Sequence, residues 1–272
     1  MMIVVTGASG NVGGQVVALL ATAGERVTAV SRRTAELPEG VRHVQGDLDD
    51  PAGLKDAFDG ADALFLLVAG RDPGAILDAA RAGGVRRVVL LSSQGAGTRP
   101  EFYRHPVAFE DAVRRSGLEW TILRPGGFHS NVYAWAESIR GGRTAPAPFG
   151  DTGLPTIDPA DIAEVAATVL REDGHAGRVY ELTGPAPTTP RERAAAIGAA
   201  LGTPVRFAEQ TREEARAQML RFMPEQVAEG TLAILGEPTD AERRVSPDVE
   251  RVLGRAPRSF ADWAGRNVAA FR

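Results

Sequence analysis

Short runs of consecutive apolar residues alternate, through the first half of the chain, with stretches in which apolar residues return every three or four positions. The runs Met2–Thr6, Arg26–Ser31, Arg42–Gln45, Ala63–Val68, Arg86–Ser92 and Trp120–Leu123 predict strands. They are continuous in Val, Ile and Leu rather than alternating, as strands covered on both faces must be. Between them the helical spacing predicts helices over Val12–Ala23, Pro51–Phe58, Pro73–Ala82 and Phe109–Ser116. Pro51 and Pro73 stand where a first helical turn tolerates a residue without an amide hydrogen. This alternation predicts βαβ units and a parallel sheet. From residue 128 the rhythm changes. Segment 141–157, rich in Gly and Pro, reads as a loop over a cleft. A helix over Pro159–Arg171 and a strand over Arg178–Leu182 add one more unit to the same sheet. Beyond Gly184 the pattern is mostly helical and charged, and reads as a cap. The expected fold class is α/β, a doubly wound parallel sheet from residues 1–127 and 156–183. A small, mostly helical C-terminal lobe from 128–155 and 184–272 completes it.

Composition narrows the functions open to such a fold. A chain of 272 residues, 43% hydrophobic, can bury one substantial core. The formal charge of -4 supplies no basic field for nucleic acid. Lys55 is the only lysine among 31 basic residues, a bias of the kind genome base composition produces. Without cysteine there are no disulfides and no thiolate chemistry, and the sequence calls for no metal. Met1–Val5 leads into a glycine turn rather than a cleavage site, so no signal peptide is expected. No apolar stretch approaches the roughly 20 residues that span a bilayer. The expectation is a cytoplasmic monomer or homodimer that engages no membrane.

The chemistry begins at Thr6-Gly7-Ala8-Ser9-Gly10-Asn11-Val12-Gly13-Gly14. Gly7 allows a sharp exit from the strand, Gly10 keeps side-chain atoms away from a pyrophosphate, and Gly13 lets the next helix pack close. Free amides and the positive end of the helix dipole then face the phosphates. A buried strand before the glycines and an amphipathic helix after them supply the context of a Rossmann-like dinucleotide site. Gly7, Ser9, Gly10, Asn11, Val12 and Gly13 are therefore expected to bind the cofactor.

An NAD-selective site carries an acid about 20 residues past the glycines, on the ribose hydroxyls. Here the second strand ends Val30-Ser31-Arg32-Arg33-Thr34, and the nearest acid is Glu36. Two guanidinium groups and a hydroxyl suit a 2′-phosphate that a carboxylate would repel, so the expected cofactor is NADP(H). After the third strand come Asp47 and Leu48, where adenine would lie. Asp47 either accepts from the adenine amine or caps the helix that starts at Pro51.

The opening Thr6-Gly7-x-x-Gly10-x-x-Gly13 resembles the NmrA-like group of atypical short-chain dehydrogenase/reductases. So do Val88–Ser93 and the stretch from Glu110 through Ser116-Gly117-Leu118 to Arg124-Pro125-Gly126-Gly127-Phe128. Ile157-Asp158-x-x-Asp161-Ile162-Ala163, Tyr180–Pro185 and Leu253–Trp263 extend the likeness over essentially the whole chain. The resemblance implies a substrate cleft between a Rossmann domain and a small C-terminal lobe. It implies that Pro125, Gly126 and Gly127 line the nicotinamide pocket, and that Val68, Ala69 and Gly70 run along the nicotinamide ribose. Members include NADPH-dependent quinone, carbonyl and alkene reductases, and also regulators that bind the dinucleotide without turnover.

Typical short-chain dehydrogenases protonate their substrate through a Tyr-x-x-x-Lys pair. This chain has none. Its nearest match is Tyr103-Arg104-His105-Pro106-Val107, with Val where Lys would stand. Tyr103, His105 and His129 remain as proton donors, imidazole being suited by its near-neutral titration. Ser92 and Ser93, with Gln94, offer polar groups at the end of the fifth strand, Ser92 toward the cofactor and Ser93 toward the substrate oxygen. Hydroxyls at such positions also satisfy local backbone. Phe128, Tyr133, Trp135 and Phe149 either line an apolar pocket for a flat ring or form core beneath the cap. Asp158 and Asp161 precede a helix and read as cap and first-turn residues rather than paired acid and base. The expectation is an NADPH-dependent oxidoreductase that delivers hydride to a quinone, enone or aromatic ketone, a small-molecule aromatic or quinone-like partner. A non-catalytic NAD(P) sensor, or a biosynthetic enzyme with an unusual reaction, is the alternative.

Overall fold

In a computed structural model, which describes every residue except Ala35, seven parallel strands form one sheet in the order β3-β2-β1-β4-β5-β6-β8. The strands are β1 (Met2–Thr6), β2 (Arg26–Ser31), β3 (Arg42–Gln45), β4 (Ala63–Leu67), β5 (Arg87–Leu91), β6 (Glu119–Pro125) and β8 (Arg178–Leu182). The doubly wound α/β architecture expected from the apolar runs is present. The strand order reverses at β1, which lies between β2 and β4, so a crevice opens there at the strands' C-terminal ends.

Helices cover both faces. On one, α1 (Gly13–Thr22) packs beside a helix over Pro159–Arg171 against Ile3, Val5, Phe65 and Leu123. On the other, α2 (Lys55–Phe58), α3 (Pro73–Ala82) and a helix over Arg104–Arg115 cover Val4, Leu64, Val88 and Ile122. Asp72 caps α3, accepting from the amide of Ala75 with Pro73 at the first position, as the sequence punctuation predicts. The helix expected over Pro51–Phe58 is a short 3₁₀ turn followed by α2. Its cap is Asp50, which accepts from Gly53, and not Asp47.

Two further helices belong to the numbered set: α4 (Gln94–Thr98) and α5, the Arg104–Arg115 helix, which starts five residues before its apolar pattern does. After β6, a 3₁₀ segment over His129–Trp135 leads into α6 (Ala136–Gly142). The presumed loop over 141–157 contains a strand, β7 (Thr144–Ala147), which pairs in parallel with β9 (Arg206–Glu209). Then come α7, the Pro159–Arg171 helix, and α8 (Pro190–Leu201). A third apolar cluster lies here, with Val132, Trp135 and Ile139 against Ile197, Phe260, Trp263 and Phe271. Among the described residues no helix is long and apolar enough to cross a membrane.

Candidate active site

The C-terminal ends of β1 to β4 open into a cleft of about 470 Å³. Gly7, Ser9 and Gly10 line it from the turn after β1, and Arg32 and Arg33 from the end of β2. Asp47 and Leu48 enter from the turn after β3, Ala69 and Gly70 from that after β4. Gly7 has φ +63°, and a Cβ on it would lie 2.8 Å from Leu67 Cδ2. A Cβ on Gly13 would fall 2.2 Å from the Gly7 carbonyl oxygen, so helix and turn touch backbone to backbone. α1 begins without a side-chain cap and without an acid in its first turn. The Gly14 amide donates to the Gly10 carbonyl, and the positive end of the helix dipole has no side-chain counter-charge, which suits an anion.

Val12 is buried and can offer this site only backbone. Asn11 turns elsewhere: its Nδ2 donates to Ser130 Oγ at 2.6 Å, joining the glycine turn to the segment after β6. At the rim, the carbonyls of Arg32 and Arg33 accept from Gln45 Nε2 and Ser31 Oγ, so their backbone is fixed from β2 and β3. Both side chains are exposed, and among the described residues neither forms an ion pair. Asp47 lines the cleft with one oxygen accepting from the Asp49 amide. Thr6, Val30, Ser31, Gly46, Asp49 and Leu67 also line it. Each flanks a residue expected from the sequence, and the rule that ligands bind beyond the carboxyl ends of parallel strands collects them all.

The ends of β5 and β6 bring together Ser92, Ser93, Gln94, Pro125, Gly126 and Gly127. Ser92 is buried and donates to Glu110 Oε1 at 2.7 Å, so its hydroxyl serves an internal ion pair rather than a ligand. Ser93 caps α4, accepting from Gly95. Gln94 differs. It is 8% exposed, and its buried Nε2 has no hydrogen-bond partner among the described residues. A Cβ on Gly126 would stand 3.6 Å from Gln94 Oε1, an ordinary contact, so the two are neighbours at the ends of β5 and β6. A buried amide without a partner costs about 1–3 kcal/mol.

Residues 7–173 match the NAD(P)H-binding family, more than half of the chain. The chain belongs to that family. It is an NAD(P)H-dependent oxidoreductase by the company it keeps. It is 39% identical to a (4-alkanoyl-5-oxo-2,5-dihydrofuran-3-yl)methyl phosphate reductase of Streptomyces griseus, over 99% of both chains. It is 34% identical to an NAD(P)H azoreductase of Xenophilus azovorans, again over 99% of both. The crystal structure of an NADPH-dependent quinone oxidoreductase from Escherichia coli superposes with a TM-score of 0.80 at 25% identity, covering 98% of this chain and 99% of the other. The NmrA-like resemblance read from the motifs agrees with these neighbours.

The proton donors considered for this oxidoreductase lie in three different settings. Tyr103 packs its ring under Gly95 and Gly230, with its hydroxyl 3.3 Å from Thr231 Oγ1. Burial pushes its phenol up, away from proton transfer at neutral pH. His129 is 1% exposed, donates from Nε2 to the Thr156 carbonyl at 2.9 Å, and meets Phe260 and Trp263 edge-on. Burial pushes the imidazole down to about 4, against the pull of Asp158. His129 is thus a neutral core histidine, unable to act as an imidazolium donor near pH 7. His105 is exposed and donates from Nε2 to the carbonyl of Gly70 at 2.8 Å, on the loop after β4 that lines the cleft. Of the three it alone touches that loop.

The burial of neutral His129 has a measurable consequence. Its folded pKa lies below the unfolded 6.5, so the unfolded chain binds the extra proton between pH 6.5 and about 4. Stability is therefore full above 6.5 and falls as pH drops toward 4, by at most about 3 kcal/mol. Denaturant unfolding of the native chain and of His129→Gln across that range should give a difference curve with this slope. A flat difference would show that His129 carries no such burden.

The aromatic residues expected to line a ring pocket separate in space. Trp135 is buried in the third cluster and is core. Tyr133 is 41% exposed, stacks on Phe271 and donates to Asn267 Oδ1 at 2.7 Å. Phe149 has φ +54° and lies against Gly236, while Phe128 packs on the sheet-side cluster. The 3₁₀ turn over His129–Trp135 sends neighbours in sequence to different neighbours in space.

Proposed function

We propose that this protein is an NADPH-dependent reductase that delivers hydride to a conjugated, electron-poor acceptor: a quinone, an enone such as an unsaturated lactone, or an aromatic ketone. The observation that carries the cofactor half is the crevice at the strand-order reversal, with an uncapped helix N-terminus below and two unpaired guanidinium groups at its rim. Gly7, Ser9 and Gly10, with the backbone of residues 11–13, would hold the diphosphate. Arg32 and Arg33 would hold the 2′-phosphate, and Asp47 and Leu48 would border the adenine. Val68 to Gly70 and Pro125 to Gly127 would border the nicotinamide end, where the bound cofactor supplies hydride.

The acceptor half rests on what the chain lacks and what it leaves open. With no Tyr-x-x-x-Lys pair, with Tyr103 half-buried and with His129 buried, the enzyme suits acceptors whose reduced anion is stabilised by conjugation and protonated from solvent. Positioning then provides most of the rate. The unpartnered Gln94 amide would hydrogen-bond the acceptor's oxygen, and exposed His105 would relay solvent protons. The relatives named above are reductases of an oxo-dihydrofuran, an azo compound and a quinone, all conjugated. The test is the loss of NADPH absorbance with a panel of quinones, unsaturated lactones and aryl ketones. Turnover with at least one class, faster with NADPH than NADH, is expected. Tight NADPH binding with no turnover across the panel would overturn the reading in favour of a sensor.

A further inference from the structure

Among the described residues Arg193 is a buried arginine without an ion pair. It lies in the first turns of α8, on the face it shares with Pro190, Ala194 and Ile197, all buried. The residue is 7% exposed. Its one side-chain hydrogen bond among the described residues runs from Nε to the Thr189 carbonyl at 3.4 Å, and it forms no ion pair there. The other partly sheltered arginines are matched. Arg99 meets Glu242, Arg124 meets Glu110, and Arg255 and Arg258 meet Asp161 and Glu164. The adjacent acid is already engaged: Glu192 spends its carboxylate on the cap of α8, accepting from the Thr189 amide.

A guanidinium cannot shed its proton to escape burial as a lysine can. Burial pushes Arg193 down to about 10, so it stays charged at neutral pH. Buried charges are otherwise paired, and an unpaired one is a strong demand for an anion. The start of α8 adjoins the segment beside Gly127: Arg193 Nε donates to the Thr189 carbonyl, Thr188 Oγ1 lies 3.5 Å from Thr156 Oγ1, and a Cβ on Gly127 would stand 3.5 Å from Thr156 Cγ2. Thr188, beside Thr189, bridges to Leu154, and Gly126 donates to Leu182, which lace the α8 approach to the loop beyond β6.

We propose that Arg193 is a specificity residue that binds an anionic oxygen group, a phosphate ester or a carboxylate, on the acceptor. The inference rests on the reductase reading above and narrows its substrate to acidic conjugated acceptors. The planar fork of a guanidinium fits two oxygens of such a group at once.

Two measurements test it. First, kcat/KM is compared for an unsaturated lactone alcohol and its phosphate ester, with the native enzyme, Arg193→Leu and Arg193→Lys. The native enzyme should favour the ester about 30-fold, mainly through KM, as one charged hydrogen-bonding pair allows. Arg193→Leu should bring the ratio to about one, and Arg193→Lys should restore part of it. NADPH affinity, read by fluorescence, reports whether Arg193→Leu folds. Equal ratios in native and Leu proteins overturn the proposal. Second, with NADP⁺ saturating so that its own phosphate site is filled, inorganic phosphate is titrated against chloride of equal ionic strength. A rise in thermal midpoint in the native protein, absent in Arg193→Leu, supports the site, and an equal rise or none in both overturns it. This second arm reads Arg193 even if no acceptor turns over, so failure of the reductase reading and failure of the anion site stay distinct.

Discussion

Replacing Arg32 and Arg33 together by alanine is expected to raise the Kd for NADPH about 100-fold while moving that for NADH by no more than about two-fold. The reasoning is geometric. The backbone of both residues is pinned from β2 and β3, and both side chains are exposed at the cleft rim without a carboxylate partner. A 2′-phosphate at that rim would meet two guanidinium forks, and charge-assisted hydrogen bonds are worth about 1.5–3 kcal/mol each. Solvent exposure discounts the pair to about 2.7 kcal/mol, which is two powers of ten. The same exposure makes the preference salt-sensitive, so it should shrink between low and high ionic strength. Titrations of the native and doubly substituted proteins with both nucleotides decide the matter. Equal losses for NADPH and NADH would show that the arginines do not read the 2′-phosphate.

The second large effect concerns stability. Glu110, 1% exposed on α5, accepts from Ser92 at the end of β5 and from Arg124 on β6, and from Arg114 one turn along its own helix. Burial pushes its carboxyl up, but the bonds from Arg124 and Ser92 outweigh this and leave it below the ordinary range. Glu110→Ala leaves Arg124 half-buried and unpaired, and should cost about 3–5 kcal/mol. The denaturant midpoint should fall with its slope unchanged. A double variant, Glu110→Leu with Arg124→Met, should recover most of the loss, because a well-packed apolar pair can replace an ionic one. A loss below about 1 kcal/mol for Glu110→Ala would mean that the network contributes little beyond its geometry.

What could be read without coordinates was what the chain writes locally. Gly7, Gly10 and Gly13 stand within one turn, their steric demands are short-range, and the Cβ clashes at Gly7 and Gly13 repeat the reasoning from spacing. Pro73 and Pro159 announce helix starts for the same reason. The less legible features join distant segments. β7 pairs with β9 some 60 residues on, and neither carries the Val/Ile run that marks a covered strand. Gln94 sits beside two serines and looks like one more polar residue until the absence of a partner for its Nε2 is visible. Arg193 lies in the run Arg191-Glu192-Arg193, within the charged stretch that reads as a cap, yet its helix turns that position inward. Of the aromatic residues near 130, Trp135 and Tyr133 meet the third cluster and Phe128 the sheet-side one, a division that spacing alone does not show.

The hydrogen bond from Asn11 to Ser130 spans 119 positions and ties the glycine turn after β1 to the 3₁₀ segment after β6. The glycine turn and the segment that leads into α6 therefore share a strut, so a displacement of either is passed to the other across the width of the fold.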